Sequence, residues 1–303
     1  MRPAVRVAAS ARGIWVFKEH RQWRRSLAVR LRSADGRSLQ DLDFPSDQDV
    51  LEIRADRAGP ACQVQVRHRS PLRRLLGGVH RDLAELRDKP LRVLITGSGR
   101  SGTRTVAAFL DGAAFEDGAR VKAAHEPLSE FLVPALTDGR AELVRAIQMG
   151  LDHNVESAPY YSLFPDAARA ERIVHVIRDG RRVVQSGLNR GWYQNDSIWN
   201  RLKPDVPGDV FTKCCHLWRI STENALRLAG RTFRLEDLAA DAAARVDFCL
   251  HLGVAPDGRG LPHANRGARS SGVAHWDAGQ REAFAAIAGP LMDRFYPGWD
   301  TDW

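Results

Sequence analysis

The sequence predicts a three-layer α/β domain with a central parallel sheet, preceded by a small β-rich module. Residues 91–106 have the pattern of a buried strand that turns through three glycines into a helix, and residues 172–190 repeat the strand-to-helix pattern. Strands that alternate with helices in this way form parallel sheets covered by helices. Before residue 90, short alternating apolar and polar runs recur instead, which is typical of an antiparallel β module.

The β-rich module is predicted over residues 1–70. Turn residues such as Gly59-Pro60 separate its apolar runs, which lie at residues 5–9, 13–17, 26–32, 50–55 and 62–68. Residues 71–90 predict a helical connector, because leucines from Leu72 to Leu86 recur on one helical face despite Gly77-Gly78. Residues 91–303 then form the predicted α/β domain.

Charge is distributed unevenly along the chain. Residues 1–90 contain 19 Lys and Arg against 11 Asp and Glu, so this segment carries the whole formal charge of +8 and the remainder is neutral. A basic β module favours an anionic partner, and we expect contact with an anionic glycan, a lipopolysaccharide or a membrane surface. The alternative is an arginine-rich composition whose side chains are merely solvated. The sequence has no recognition helix or zinc-finger spacing, so we expect no nucleic-acid partner.

A glycine-rich loop follows the first strand of the α/β domain and comprises Ser98, Gly99, Arg100, Ser101, Gly102 and Thr103. The first amides of a helix lack intrahelical partners and lie at the positive end of its dipole, so this loop predicts an anion site. An ATP-binding loop has a lysine after its last glycine, where this chain has Thr103. A dinucleotide site has an acidic residue about 20 residues further on, and Glu126 falls near that place. The missing lysine counts against an ATP-binding loop, whereas the dinucleotide alternative stays open on the loop alone.

A second candidate anion site follows the strand at residues 172–177. Arg178 ends this strand, and Ser186 lies on the helix after it, so the two side chains can converge on one ligand. An arginine fork with a hydroxyl suits a terminal phosphate better than a nicotinamide ring. This pair therefore disfavours an NAD-dependent reductase.

These segments, together with TFRLEDL at 232–238 and FCLHLGV at 248–254, resemble the sulfotransferases that use PAPS, 3′-phosphoadenosine 5′-phosphosulfate. The resemblance covers residues 91–297. It implies a P-loop-like fold and transfer of a sulfuryl group from PAPS to an acceptor hydroxyl, leaving PAP. It further implies that the donor binds Arg178, Ser186 and the loop residues Ser98, Gly99, Arg100, Ser101, Gly102, Thr103 and Arg104.

The resemblance also implies a third donor element and an acceptor class. A basic loop at residues 265–271 is similar to the family's C-terminal element, and Arg266 is its candidate donor ligand. Small-molecule members have a lysine where this chain has Arg100, whereas carbohydrate-modifying members have the Arg-Ser-Gly pattern found here. The implied acceptor is a saccharide or glycolipid, with protein tyrosine left open.

The reaction needs a base to accept the proton of the acceptor hydroxyl. Glu126 is the first candidate, because Pro127 ends a predicted second strand whose end faces the same crevice as the loop. His125 is the alternative, and adjacent strand residues point to opposite faces, so we expect only one of them at the site. Arg100 is predicted to stabilise charge on the leaving group. Glu126 could instead simply pair with an arginine.

Several further expectations concern the rest of the chain. The histidines are scattered without metal-ligand spacing, so no metal is expected. The N-terminus is broken by charge before any long apolar run, so we expect a cytoplasmic protein that is at most peripheral to the membrane. Helices are predicted at residues 131–151, 213–228 and 279–295, with an aromatic loop at 191–208. A nucleoside-triphosphate-dependent kinase and a non-catalytic glycan-binding protein remain alternatives to the enzyme.

Overall fold

The computed structural model describes residues 5–10, 13–18, 27–33, 35, 37–58, 63–68, 79–82, 91–150, 153–262 and 276–301. The chain divides into two compact units. The N-terminal unit comprises Met1–Pro90 together with Asp138–Asp152, and the α/β unit comprises Leu91–Thr137 with His153–Trp303. The predicted division at residue 90 did not assign segment 138–152 to the N-terminal part.

The described part of the N-terminal unit contains two antiparallel sheets. Their strands are β1 (Val5–Ser10), β2 (Gly13–Lys18), β3 (Leu27–Arg32), β4 (Ser38–Phe44), β5 (Val50–Arg54), β6 (Gln63–His68) and β7 (Val79–Asp82). One sheet has the order β1-β2-β5 and the other β4-β3-β6-β7. A short helix α1 (Ala55–Ala58) follows β5. The unit is therefore β-rich, as predicted. Strand β4 was not predicted, because most of its side chains are exposed or half-buried and it lacks an apolar pattern.

The predicted helical connector at residues 71–90 is wrong where the structure describes it. Residues 79–82 form β7, which pairs antiparallel with β6 and places Val79 opposite Val66. Two adjacent glycines cost a helix about 1 kcal/mol each, and the edge of β6 offers backbone partners to an extended chain. The rest of the predicted connector lies outside the described residues.

The predicted helix at residues 131–151 is two helices in different units. Helix α3 (Ser129–Thr137) belongs to the α/β unit, and α4 (Ala141–Gly150) packs against β1 in the N-terminal unit. Gly139 has a φ of 67° between them, a left-handed conformation that a continuous helix excludes. Leu143 and Val144 of α4 are buried.

The α/β unit is built on a five-stranded parallel sheet of order β12-β11-β8-β10-β9. The strands are β8 (Val93–Thr96), β9 (Ala123–His125), β10 (Val155–Ser157), β11 (Arg172–Ile177) and β12 (Arg231–Arg234). Helices flank this sheet, which confirms the predicted α/β class with its central parallel sheet. Their bounds are α2 (Thr103–Leu110), α5 (Gly180–Leu188), α6 (Ile198–Arg201), α7 (Val210–Leu228), α8 (Leu235–Ala240), α9 (Ala242–Leu252) and α10 (Ala278–Phe295).

Two apolar clusters form the core of this unit. Val174 and Val176 of β11 pack with α2 and α9, whereas Ile177 packs with α7 and α10. Successive strand residues point to opposite faces, so helices cover both sides of the sheet. Over the ranges that the structure describes, no helix is both long and apolar enough to cross a membrane.

Candidate active site

The glycine-rich loop lies between β8 and α2, as predicted. Gly102 has a φ of 95° and Arg100 a φ of 70°, so the chain turns sharply before the helix begins at Thr103. A Cβ on Gly102 would lie 2.6 Å from side-chain carbons of Leu235, which explains the glycine. The side chains of Ser98 and Ser101 are buried, and neither residue lines the neighbouring cavity.

The structure brings three predicted donor ligands together. The Nε atom of Arg100 donates a hydrogen bond to Ser186 Oγ at 2.9 Å, and Nη1 of Arg178 donates to the carbonyl oxygen of Arg100 at 3.1 Å. Ser186 lies on α5, and Arg178 follows β11 directly. The indole of Trp218 donates to the carbonyl oxygen of Arg178 at 3.3 Å, which holds this turn in place.

A cavity of about 850 Å³ opens beside these groups, and its lining is strongly cationic. Within the described ranges, Glu126 is the only acidic residue in the lining, against Arg100, Arg104, Arg178, Arg182, Arg190 and Lys203. Burial and the charges of Arg190 and Arg178 lower the pKa of Arg100, as expected where like charges crowd together. Guanidinium groups stay protonated even so, and the cavity therefore favours an anion with several charges. Arg182 and Arg190 were not predicted.

Both candidate bases lie at this cavity, which corrects the expectation that they face apart. Strand β9 ends at His125, and Glu126 has a left-handed φ of 49°, so strand alternation no longer applies. His125 Nε2 lies 3.8 Å from Glu126 Oε2. His125 Nδ1 lies 2.9 Å from the carbonyl oxygen of Ser157, which can only accept, so Nδ1 carries the proton and Nε2 has the free electron pair.

The surroundings shift the pKa values of Glu126 and His125 in opposite directions. Burial raises the pKa of Glu126 to about 7, although the charges of Arg100 and Arg104 oppose this. Burial also lowers the pKa of His125, and Arg104 lowers it further. A carboxyl group with a pKa near neutrality can accept a proton and release it again under physiological conditions. Glu126 is thus suited to proton transfer.

Glu156, a buried carboxylate that contacts the cavity-lining Tyr160, was not identified from the sequence. Glu156 on β10 is fully buried, and its Oε1 accepts a hydrogen bond from the Tyr160 hydroxyl at 2.9 Å. Its Oε2 lies 3.4 Å from His153 Nε2. The charge of Glu156 contributes to the raised pKa of Glu126. The feature that could have identified Glu156 is a glutamate inside a short buried strand, because charged residues are rarely buried unless they are paired.

The aromatic loop at residues 191–208 contains the short helix α6 and supplies part of the cavity wall. Trp192 and Trp199 line the cavity, and the Trp199 ring stacks on Tyr160 with centroids 6.3 Å apart. Tyr193 is instead held in the loop, where its hydroxyl donates to the carbonyl oxygen of Pro204 at 3.2 Å. Trp218 is fully buried.

Two further expectations concern the basic loop at residues 265–271 and metal binding. Arg266 and the loop at residues 265–271 lie outside the described residues. Among the residues that are described, no cluster of three or more His, Cys, Asp or Glu side chains could hold a metal ion.

Comparisons with known proteins gave few matches. No family model matches the sequence, and none of the curated proteins matches it. The sulfotransferase domain from the curacin biosynthetic pathway is 15% identical, with a TM-score of 0.38, and the match covers 60% of this chain and 80% of that one. A β-glucuronidase from Ruminococcus gnavus is 9% identical, with a TM-score of 0.20, over 76% of this chain and 51% of that one. Neither structural similarity is close enough to carry an argument about function.

Proposed function

We propose that this protein transfers a sulfuryl group from PAPS to a hydroxyl group of a saccharide or glycolipid. The observation that carries the proposal is the junction of the phosphate-type loop with a second anion site. Arg100 bonds to Ser186, and Arg178 bonds to the Arg100 carbonyl oxygen, so both sites open onto one cationic cavity. A ligand with phosphate groups at both ends of a nucleoside matches two linked anion sites.

The cavity offers suitable partners for each part of PAPS. Arg178 and Ser186 would hold the 3′-phosphate, and the loop with Arg100 would hold the 5′-phosphosulfate. Apolar groups for the adenine ring come from residues that line the same cavity: Leu235, Ala239, Leu261 and Pro262. Its volume falls within the range of about 300–1,000 Å³ that is usual for ligand pockets.

The proposed reaction is an in-line displacement at sulfur. The acceptor oxygen forms a bond to sulfur, the bond from sulfur to the 5′-phosphate oxygen breaks, and PAP leaves with that electron pair. Glu126 takes the acceptor proton, and Arg100 stabilises the charge that develops on the leaving oxygen. His125 stays neutral beside Glu126, because burial lowers its pKa.

Thermal denaturation with candidate nucleotides tests the donor assignment. A ligand at about 100 times its Kd adds roughly 2.7 kcal/mol to stability, which raises Tm by several degrees in a protein of this size. We expect PAP to raise Tm and NAD to have no effect. ATP should stabilise less than PAP, because it has no 3′-phosphate. A shift with ATP or NAD but none with millimolar PAP would contradict the proposal.

A further inference from the structure

Three arginines that line the cavity form no side-chain hydrogen bond or ion pair with any described residue: Arg104, Arg182 and Arg190. Other arginines of this unit are paired, as Arg181 is with Asp179 at 2.8 Å. Three unpaired guanidinium groups around one concave surface attract anions and repel one another. They indicate that the cavity binds more negative charge than Glu126 supplies.

Arg104 stands apart from the other two because of its position. It lies in the first turn of α2, at the positive end of the helix dipole, where a cation is unfavourable. Its neighbour Thr103 is linked to both candidate bases through Ser157. Ser157 Oγ donates to the carbonyl oxygen of Thr103 at 2.9 Å, and the Ser157 carbonyl oxygen accepts from the Glu126 amide at 3.3 Å.

The surroundings of Arg104 connect it with the base end of the cavity. Arg104 lines the same cavity as His125 and Glu126, and its charge acts to lower the pKa of both groups. A positive charge beside Glu126 makes this carboxylate a weaker base, so proton transfer alone does not explain Arg104. Arg182 instead follows Arg178 by four residues and lines the same cavity, which groups it with the proposed 3′-phosphate end.

We propose that the acceptor carries an anionic group of its own, a carboxylate or a phosphate ester, which Arg104 binds next to the hydroxyl that reacts, in place of the donor contact that the resemblance to PAPS-dependent sulfotransferases implies for Arg104. The inference rests on the proposed function, because Glu126 marks the acceptor only if it is the base. The bound anion compensates the charge of Arg104 at the helix terminus. A neutral saccharide would leave that charge uncompensated beside the base.

Binding of matched sugars to the PAP-saturated protein tests this inference. Methyl α-D-galacturonide and methyl α-D-galactoside differ only in the carboxylate, and galactose 6-phosphate against galactose tests the phosphate ester. At fixed ionic strength, calorimetry should give at least one charged sugar roughly tenfold tighter binding than its neutral partner. Arg104→Gln should abolish this preference and leave the PAP affinity within about threefold. Arg227→Gln, which removes an exposed charge on α7 outside the cavity, should retain the preference.

Each contrary outcome has a distinct meaning. Equal or absent binding of charged and neutral sugars to a protein that binds PAP would overturn the anionic acceptor and leave the proposed function standing. An Arg104→Gln variant that loses PAP as strongly as it loses the charged sugar would assign Arg104 to the donor and overturn the inference. If the wild-type protein does not bind PAP, the proposed function fails, and this inference fails with it.

Discussion

At the scale of single residues, Glu126 combines a strained backbone with an unusual protonation equilibrium. Its φ of 49° turns its side chain toward His125, and its side chain is only 23% exposed. Non-glycine residues rarely adopt this conformation, and those that do cluster at functional sites. Burial raises the pKa of its carboxyl group to about 7, which keeps the base near the middle of its titration at neutral pH.

The raised pKa predicts the pH dependence of the reaction. Below pH 7 the carboxyl group is protonated and cannot accept a proton, so kcat/KM for PAPS should rise with pH and level off above about pH 7. Stability should change in the opposite direction. The ordinary pKa of 4.5 applies to the unfolded chain, so the wild-type protein should lose stability relative to Glu126→Gln as the pH rises from 4.5 to about 7. A flat rate profile over this range would contradict Glu126 as the base.

Glu126→Gln tests the same assignment at constant pH. The amide keeps the shape of the side chain but cannot accept the proton, so turnover should fall by roughly 10² to 10⁴. PAP affinity, measured by calorimetry, should hardly change. Near-normal turnover would transfer the role to His125, and His125→Ala would then decide the question.

The residue types at the site could be predicted, whereas their geometry could not. Arg100, Arg178 and Ser186 follow from strand-loop-helix patterns, because parallel strands end at the same edge of a sheet. Their mutual hydrogen bonds depend on side-chain conformations that the sequence does not specify. The joint presence of His125 and Glu126 depends on one positive φ angle, which no pattern of apolar residues encodes.

At the scale of elements, the glycine-rich loop is the part that the sequence predicts best. Its glycines have steric reasons, since a Cβ on Gly99 would lie 3.0 Å from Trp192 and one on Gly102 would meet Leu235. The wrong predictions occur in segments whose apolar repeats suggest one continuous helix. Residues 131–151 keep a helical period across Gly139, and residues 71–90 keep one across a glycine pair, yet residues 141–150 pack against β1 and residues 79–82 pair with β6.

A pair of glycine variants tests the loop. Gly102→Ala and Gly118→Ala both force alanine into a left-handed conformation, with φ values of 95° and 82°, which costs about 1–2 kcal/mol of stability each. A Cβ on Gly118 meets no atom within 4 Å, whereas one on Gly102 displaces the cavity-lining Leu235. Calorimetry should therefore show a loss of PAP affinity of tenfold or more in Gly102→Ala and unchanged affinity in Gly118→Ala. Equal PAP affinities in the two variants would remove this loop from the donor site.

At the scale of the whole molecule, the N-terminal unit includes helix α4, whose sequence lies between the two segments of the α/β unit. Helix α4 packs on β1 through a face that includes the buried Leu143 and Val144. The sequence could not reveal this, because the helix has ordinary amphipathic spacing and its partner is more than a hundred residues away. Some arginines of residues 1–90 are paired within the unit, as Arg30 is with Asp41. Attraction of an anionic surface by this unit stays a prediction.

Truncation tests whether α4 depends on its packing against β1. A fragment of residues 91–303 retains α4 without β1 and exposes apolar side chains worth about 1.5–3 kcal/mol each when buried. We expect this fragment to aggregate. Replacing residues 138–152 in it by a flexible linker of equal length should restore a monodisperse protein that binds PAP, as judged by size-exclusion chromatography and calorimetry. Aggregation of both fragments would show that the α/β unit needs the N-terminal unit for another reason.

The proposed function requires that the loop and Arg178 form a single PAPS site. Calorimetric titration with PAP and with adenosine 5′-phosphosulfate, which lacks the 3′-phosphate, tests it in the wild-type protein and in Arg178→Ala. A charge-assisted hydrogen bond contributes about 1.5–3 kcal/mol, so Arg178→Ala should weaken PAP by roughly tenfold to a hundredfold. The affinity for adenosine 5′-phosphosulfate should stay nearly constant. Equal losses for both ligands, or no binding of PAP to the wild-type protein, would contradict the claim.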